Sequence, residues 1–266
     1  MRSTVFVFLA LAGVTFLRAH PEIEGALARL NAAIAATPSD ASLFLERGEL
    51  YAKHADWVSA EANYLVAAEL APQDPDLARA RGALALATGH PTEARRHLDD
   101  ALRRQPADAS SLVLRARTHA ALHDRRSAVA DFTAALALVS APSPELYLER
   151  AALLDAPAAI RSLDEGLTRI GPAFAMQLRA LALEESLDRT DEAVARLDRI
   201  AAHSERKEIW LKRRGDLLLR TGRASEARAA YAAALDAIAT LPDWLRESPE
   251  SARLSAELLR LSSPSS

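Results

Sequence analysis

Small, apolar and helix-ending residues recur along this chain every 34 residues. With Ala41 as position 1, Gly48 stands at 8, Ala60 at 20, Tyr64 at 24, Ala67 at 27 and Pro72 at 32. One period later come Gly82, Ala94, Leu98, Ala101 and Pro106, and one period after that Ala116, Ala128, Phe132, Ala135 and Ser140. The pattern predicts two antiparallel helices per period. Small residues at 8 and 20 let the two backbones approach. The large residue at 24 fills the space between neighbouring periods, and Ala at 27 relieves crowding one turn later. Pro at 32 stops the second helix because it lacks an N–H and clashes with the preceding turn. Asp or Ser nearby caps the next start, as in Pro38-Ser39-Asp40.

A period of this length with this pattern resembles the tetratricopeptide repeat. The resemblance implies an all-α fold, a right-handed α-solenoid of antiparallel helix pairs wound as a superhelix. Six repeats are expected, at 41–74, 75–108, 109–143, 144–172, 173–207 and 208–241. The fourth starts at Ser143-Pro144-Glu145 and carries Ala151, Ala159, Leu163 and Gly166. It lacks four residues between its helices, which predicts a tight corner at Asp155-Ala156-Pro157. The fifth shows Ala193, Leu197 and Ile200 in its second helix, while its first, near Gln177 to Ser186, has an ambiguous register. The sixth is regular, with Gly215, Leu218, Gly222, Ala227, Tyr231 and Ala234.

Both ends read as covers for sticky terminal repeats. In 20–40, Ala26, Leu30, Ala33 and Pro38 match a lone second helix. In 242–266, Ser248-Pro249-Glu250 opens a helix bearing Leu254, Leu258, Leu259 and Leu261, followed by a disordered tail from Ser262. One helix is expected before the repeats, twelve within them and one after.

Composition narrows the function. Half of the residues are hydrophobic and 26% are charged, a globular balance. The formal net charge of −3 offers no basic excess for phosphate contacts, so nucleic acid is not an expected partner. There is no Cys, which removes disulfides and thiolate chemistry. Ala and Leu dominate, and the basic residues are almost all Arg, the only lysines being Lys53, Lys207 and Lys212, a bias that fits a GC-rich bacterial source. Residues 1–19 read as an export signal: Arg2, an uncharged run from Val5 to Leu17, then Arg18-Ala19 before a mature start at His20. That run is shorter than the roughly 20 residues that cross a bilayer. The expected location is periplasmic or secreted, with membrane contact only if the segment stays uncleaved as an anchor.

Candidate chemistry is sparse. The glycines fall at repeat positions and form neither a phosphate-cradling loop nor a nucleophile elbow. His119 and His123 share a helical face, but the run lacks the Glu of metalloprotease helices. His90 and His97 form a weaker pair, with His97 read as a surface or interface histidine. Asp99-Asp100 and Glu184-Glu185 are sequence neighbours that point apart on a helix and read as solvated faces. Arginine recurs at position 7, as Arg47, Arg81, Arg115, Arg150 and Arg214, where the stem packs and the head reaches a carboxylate or carbonyl. Trp57, Trp210 and Trp244 read as covers over neighbouring helices. No catalytic residue, metal or cofactor is expected.

The resemblance implies that the first helices of the repeats line a concave groove through positions 2, 5, 9, 12 and 13. The groove residues so placed are Glu49, Lys53, Arg79, Leu86, Val113, Arg117, Lys212 and Asp216, with Leu45 among their neighbours. The Lys and Asn with which some members grip a peptide carboxylate are absent, since Leu45 and Glu49 stand there. The expected function is a non-catalytic exported scaffold that binds a protein or peptide as a helical or extended segment, through apolar contacts and an acidic group for Arg79 or Arg117. The alternatives are an accessory subunit that delivers substrate to a separate enzyme, and a self-assembling protein paired through its last helix.

Overall fold

The computed structural model describes residues 21–263, so the export signal expected at 1–19 and the last three residues lie outside the described residues. Every regular element among them is a helix, and the fold is an all-α solenoid of antiparallel helix pairs. Packing divides the chain into two compact units, the first ending at Arg104 and the second starting at Gln105.

In the first unit, α1 (Pro21–Ala36) precedes the pairs α2 (Ala41–Lys53) with α3 (Trp57–Leu70) and α4 (Pro75–Ala87) with α5 (Pro91–Arg104). Asp40, Asp56 and Asp74 cap α2, α3 and α4, their carboxylates accepting from Ser42, Ser59 and Asp76 N–H at 3.0, 3.1 and 2.9 Å. The core gathers Phe44, Ala60, Tyr64, Ala67, Leu77, Ala80 and Leu84. Leu45, expected on the groove, is 8% exposed and belongs to this core.

The second unit pairs α6 (Ala109–Ala121) with α7 (Arg125–Leu138), α8 (Pro144–Ala152) with α9 (Ala156–Ile170), α10 (Phe174–Ser186) with α11 (Thr190–Ala202), and α12 (Lys207–Arg220) with α13 (Ala224–Ala239). The four residues missing from the fourth repeat come from its first helix: α8 has 9 residues where α6 has 13. Asp155 then caps α9 directly, accepting from Ala158 N–H at 2.8 Å, with Pro157 in the first turn. Ser143 departs from the expected cap. It holds the N-cap place without a side-chain cap bond, and its hydroxyl instead bonds the Glu145 carboxylate, keeping that group below its usual pKa.

Position 8 faces position 24 at a distance that leaves no room for a side chain on Gly. A Cβ on Gly48 would lie 2.5 Å from Tyr64 Cε1, and one on Gly215 would lie 2.4 Å from Tyr231 Cε1. Ala116 fits opposite Phe132, and both are buried. Between the paired helices, except at the α8–α9 corner, the chain takes one left-handed residue. Gly89 and Gly222 supply it with φ of 80° and 79°, whereas Ala55, His123 and Asp188 hold φ of 59°, 61° and 56° at the same place in their repeats. This explains His123: it makes a turn, and it is exposed.

The C-terminal end differs from expectation by one element. A single turn, α14 (Asp243–Arg246), precedes α15 (Pro249–Ser262), so Ser262 is helical. Leu258 is fully buried, and Leu254 and Leu261 pack on the core formed by α11, α12 and α13. This face of the last helix therefore packs against its own chain. Trp244 covers nothing: on α14 it is 76% exposed.

Candidate functional site

Three position-7 arginines join the two helices of their own pair. Arg47 Nε donates to Asn63 Oδ1 at 2.8 Å, Arg115 grips Asp131 through Nε and Nη2 at 2.8 and 2.9 Å, and Arg150 Nε donates to Ser162 Oγ at 2.9 Å. Arg214 reaches instead to Asp198 on α11 of the preceding pair, at 3.0 Å. These residues hold the frame on which the first helices stand.

In the fifth repeat the polarity is reversed. Arg196, on the second helix, is 1% exposed and gives Nε and Nη2 to the two oxygens of Glu184 at 2.8 and 2.6 Å. Nη1 donates to Gln177 at 3.1 Å and Nη2 also reaches Asp164 at 2.9 Å. Glu184 is 2% exposed, which corrects its reading as part of a solvated acidic pair. Of the two places expected for His97, the surface is excluded: the residue is 8% exposed. His119 does not pair with His123. Its ring lies 3.6 Å from Asp124 and 3.8 Å from Asp131, and no cluster suited to a metal ion occurs among the described residues.

Four of the expected groove residues line two depressions, one in each unit. In the first, α1 and α2 enclose about 460 Å³ over an apolar floor of Ala26, Leu30, Ala33, Leu43 and Leu50. Its rim carries Arg29, Glu46, Glu49 and Lys53. Burial raises the pKa of Glu49, and Arg79, 3.6 Å away, partly offsets that rise. In the second, Val113, Leu114, Val139 and Leu146 floor about 320 Å³, with Ser110 and Arg117 at the edge.

The expected arginines are not waiting for an acid. Arg79 bonds Asp76 at 3.0 Å besides meeting Glu49, and Arg117 makes a two-pronged pair with Glu149, both bonds 2.8 Å. The Glu149 bond raises the Arg117 pKa further. Lys212 and Asp216 form a clasp for the cap. Lys212 Nζ meets Asp216 at 3.0 Å and Glu257 of α15 at 3.1 Å, and Tyr231 donates its hydroxyl to Asp216 at 3.0 Å. Burial, followed by that hydrogen bond, pushes the Tyr231 phenol up to about 12. Leu86 stays half-buried on α4. Arg29, Leu43, Glu46 and Leu50 were not foreseen in the groove. The signal that would have found them is the pairing of the lone first helix with α2.

Helix pairs with apolar-floored, charge-rimmed depressions on their first helices define a protein-interaction scaffold. The tetratricopeptide repeat profile matches residues 17–75, 79–124 and 178–242, more than half of the chain, and the chain belongs to that family. The unmatched stretch from 125 to 177 holds the shortened fourth repeat. No curated protein matches the sequence. Among solved structures, a tetratricopeptide repeat protein from Parabacteroides merdae is similar at a TM-score of 0.53 and 17% identity, covering 91% of this chain and 92% of that one. PilW, a type IV pilus biogenesis factor, gives 0.59 at 18% identity over 68% of this chain and 86% of its own. A chain of the Cut9–Hcn1 hetero-tetramer of the APC/C gives 0.52 at 15% identity over 90% of this chain and 46% of its own. Identities this low speak for the fold alone. No described helix is long and apolar enough to cross a membrane.

Proposed function

We propose that this chain is a non-catalytic, exported adaptor that binds a peptide or helical segment of another protein on its first-helix grooves. The observation that carries the reading is the α1–α2 depression: four half-buried Ala and Leu side chains over buried Leu30 lie between rims of both signs. A half-buried apolar strip with a charged border suits the apolar stripe of an amphipathic helix. The Val113–Leu146 depression offers the same chemistry in the second unit. Export rests on the sequence: Arg2, the uncharged run from Val5 to Leu17, and Ala19. Because Arg79 and Arg117 already hold carboxylates, apolar contact rather than an acidic group is the main attraction.

The test is crosslinked capture from the native cells with the unaltered chain, Leu50→Asp and Val113→Asp, alongside N-terminal sequencing of the exported chain. A partner held by the unaltered chain and lost from one variant that still melts normally supports the reading. Identical capture by all three moves binding off these grooves. A chain that retains Met1 and stays inside the cell removes export.

A further inference from the structure

The second and sixth repeats break the arginine rule, since Arg81 and Arg214 both reach a carboxylate of the preceding pair, Arg81 at 3.5 Å and Arg214 at 3.0 Å. Arg47, Arg115 and Arg150 each find an acceptor at position 23 of their own repeat: Asn63, Asp131 and Ser162. In the second repeat position 23 is His97, whose Nε2 lies 3.1 Å from Arg96 Nη2. Burial, then the charges of Arg81 and Arg96, hold the His97 pKa below its usual value, while the same Nε2 lies 3.5 Å from Glu93. Arg81 is left short. Its Nε is buried without a hydrogen-bond partner, and Nη2 reaches Glu61 only at 3.5 Å. The side chain remains 26% exposed, so donors of an under-used guanidinium are open to a ligand.

A pocket of about 260 Å³ opens beside it, walled by Trp57, Glu61, Arg81, Glu93 and His97, with Thr88 at the end of α4. Among the lining residues Arg81 is the single cation and Glu61 and Glu93 are the anions, a net charge of −1, with Arg96 standing outside the wall 3.7 Å from Glu93. A simple anion would be repelled by the two carboxylates. A simple cation would leave the guanidinium as it is. The C-terminal end of α4, which carries the negative end of the helix dipole, adds a further preference for positive charge near Thr88. Trp57, 37% exposed, supplies an apolar wall. Only a ligand with both charges close together satisfies all of these groups.

We propose that this pocket binds a free α-amino acid with an apolar side chain. Its carboxylate meets Arg81, its ammonium lies between Glu61 and Glu93, and its side chain rests against Trp57. The site is separate from the α1–α2 depression and does not depend on the protein-binding reading.

Calorimetric titration of the full chain with L-leucine tests it, with acetate and n-butylamine as single-charge probes. Leucine is expected to saturate a single site, and each single-charge probe to bind more weakly. Arg81→Gln and Glu93→Gln should each weaken leucine about tenfold or more, the loss of one charge-assisted hydrogen bond. Glu93 is half-exposed, so that variant keeps the fold even if Arg81→Gln does not. The proposal is overturned if leucine fails to saturate, if acetate or butylamine alone matches leucine, or if Glu93→Gln binds leucine as tightly as the unaltered chain.

Discussion

Replacing Arg196 with Met should cost more stability than almost any other single change in the second unit. The guanidinium is 1% exposed and satisfies both oxygens of Glu184, itself 2% exposed. Removing the cation strands a carboxylate where water cannot reach it. Breaking a buried pair from one side costs about 3–5 kcal/mol. Replacing both partners by apolar side chains of similar volume is often near neutral. Arg196→Met/Glu184→Met should therefore recover most of the loss, short of about 1–3 kcal/mol for Gln177, whose Oε1 loses its donor. Repeat arrays need not unfold in a single step, so the readout should be local. Amide hydrogen exchange across α10 and α11 is the suitable assay. The single variant should lose protection there by about two to four orders of magnitude, given about 1.4 kcal/mol per factor of ten. A single variant as protected as the unaltered chain, or a double variant no better than the single, would refute the reasoning that desolvation of Glu184 dominates.

The remaining expectations follow from the same packing. Gly215→Ala places a Cβ against Tyr231, whose hydroxyl is tied to Asp216, so urea unfolding should show a loss of about 1–3 kcal/mol from overpacking. Ala55→Gly relieves a left-handed backbone at φ 59° and should gain about 1 kcal/mol in the same assay; a loss would mean that the turn is not strained. His97 has its folded pKa below 6.5, so the unfolded chain takes up protons first as pH falls. Its contribution to stability is complete above 6.5 and is lost as pH drops toward the folded value, so His97→Gln should flatten melting temperature against pH in that window.

Much of the fold was legible because its rules are local or repeat with the chain. Gly48 against Tyr64 and Gly215 against Tyr231 are same-repeat contacts, so one period of sequence contains both partners. Asp40, Asp56 and Asp124 cap helices that begin one residue later, accepting from N–H groups two or three residues on. The candidate site was less legible, because its charges pair across repeats. Glu149 lies 32 residues from Arg117, and Glu49 lies 30 from Arg79. Glu184 looked like one half of a solvated pair because the register of α10 was open, and register decides which of two adjacent carboxylates turns inward. The sequence by itself determined the helix pairs, their turns and the close approaches at positions 8 and 24, since a short periodic stretch carries all the steric information these need. Tertiary structure alone decided which charged groups are spent within the chain and which are left for a ligand. Such pairing depends on distances of a few ångströms between helices remote in sequence, which no spacing along the chain encodes.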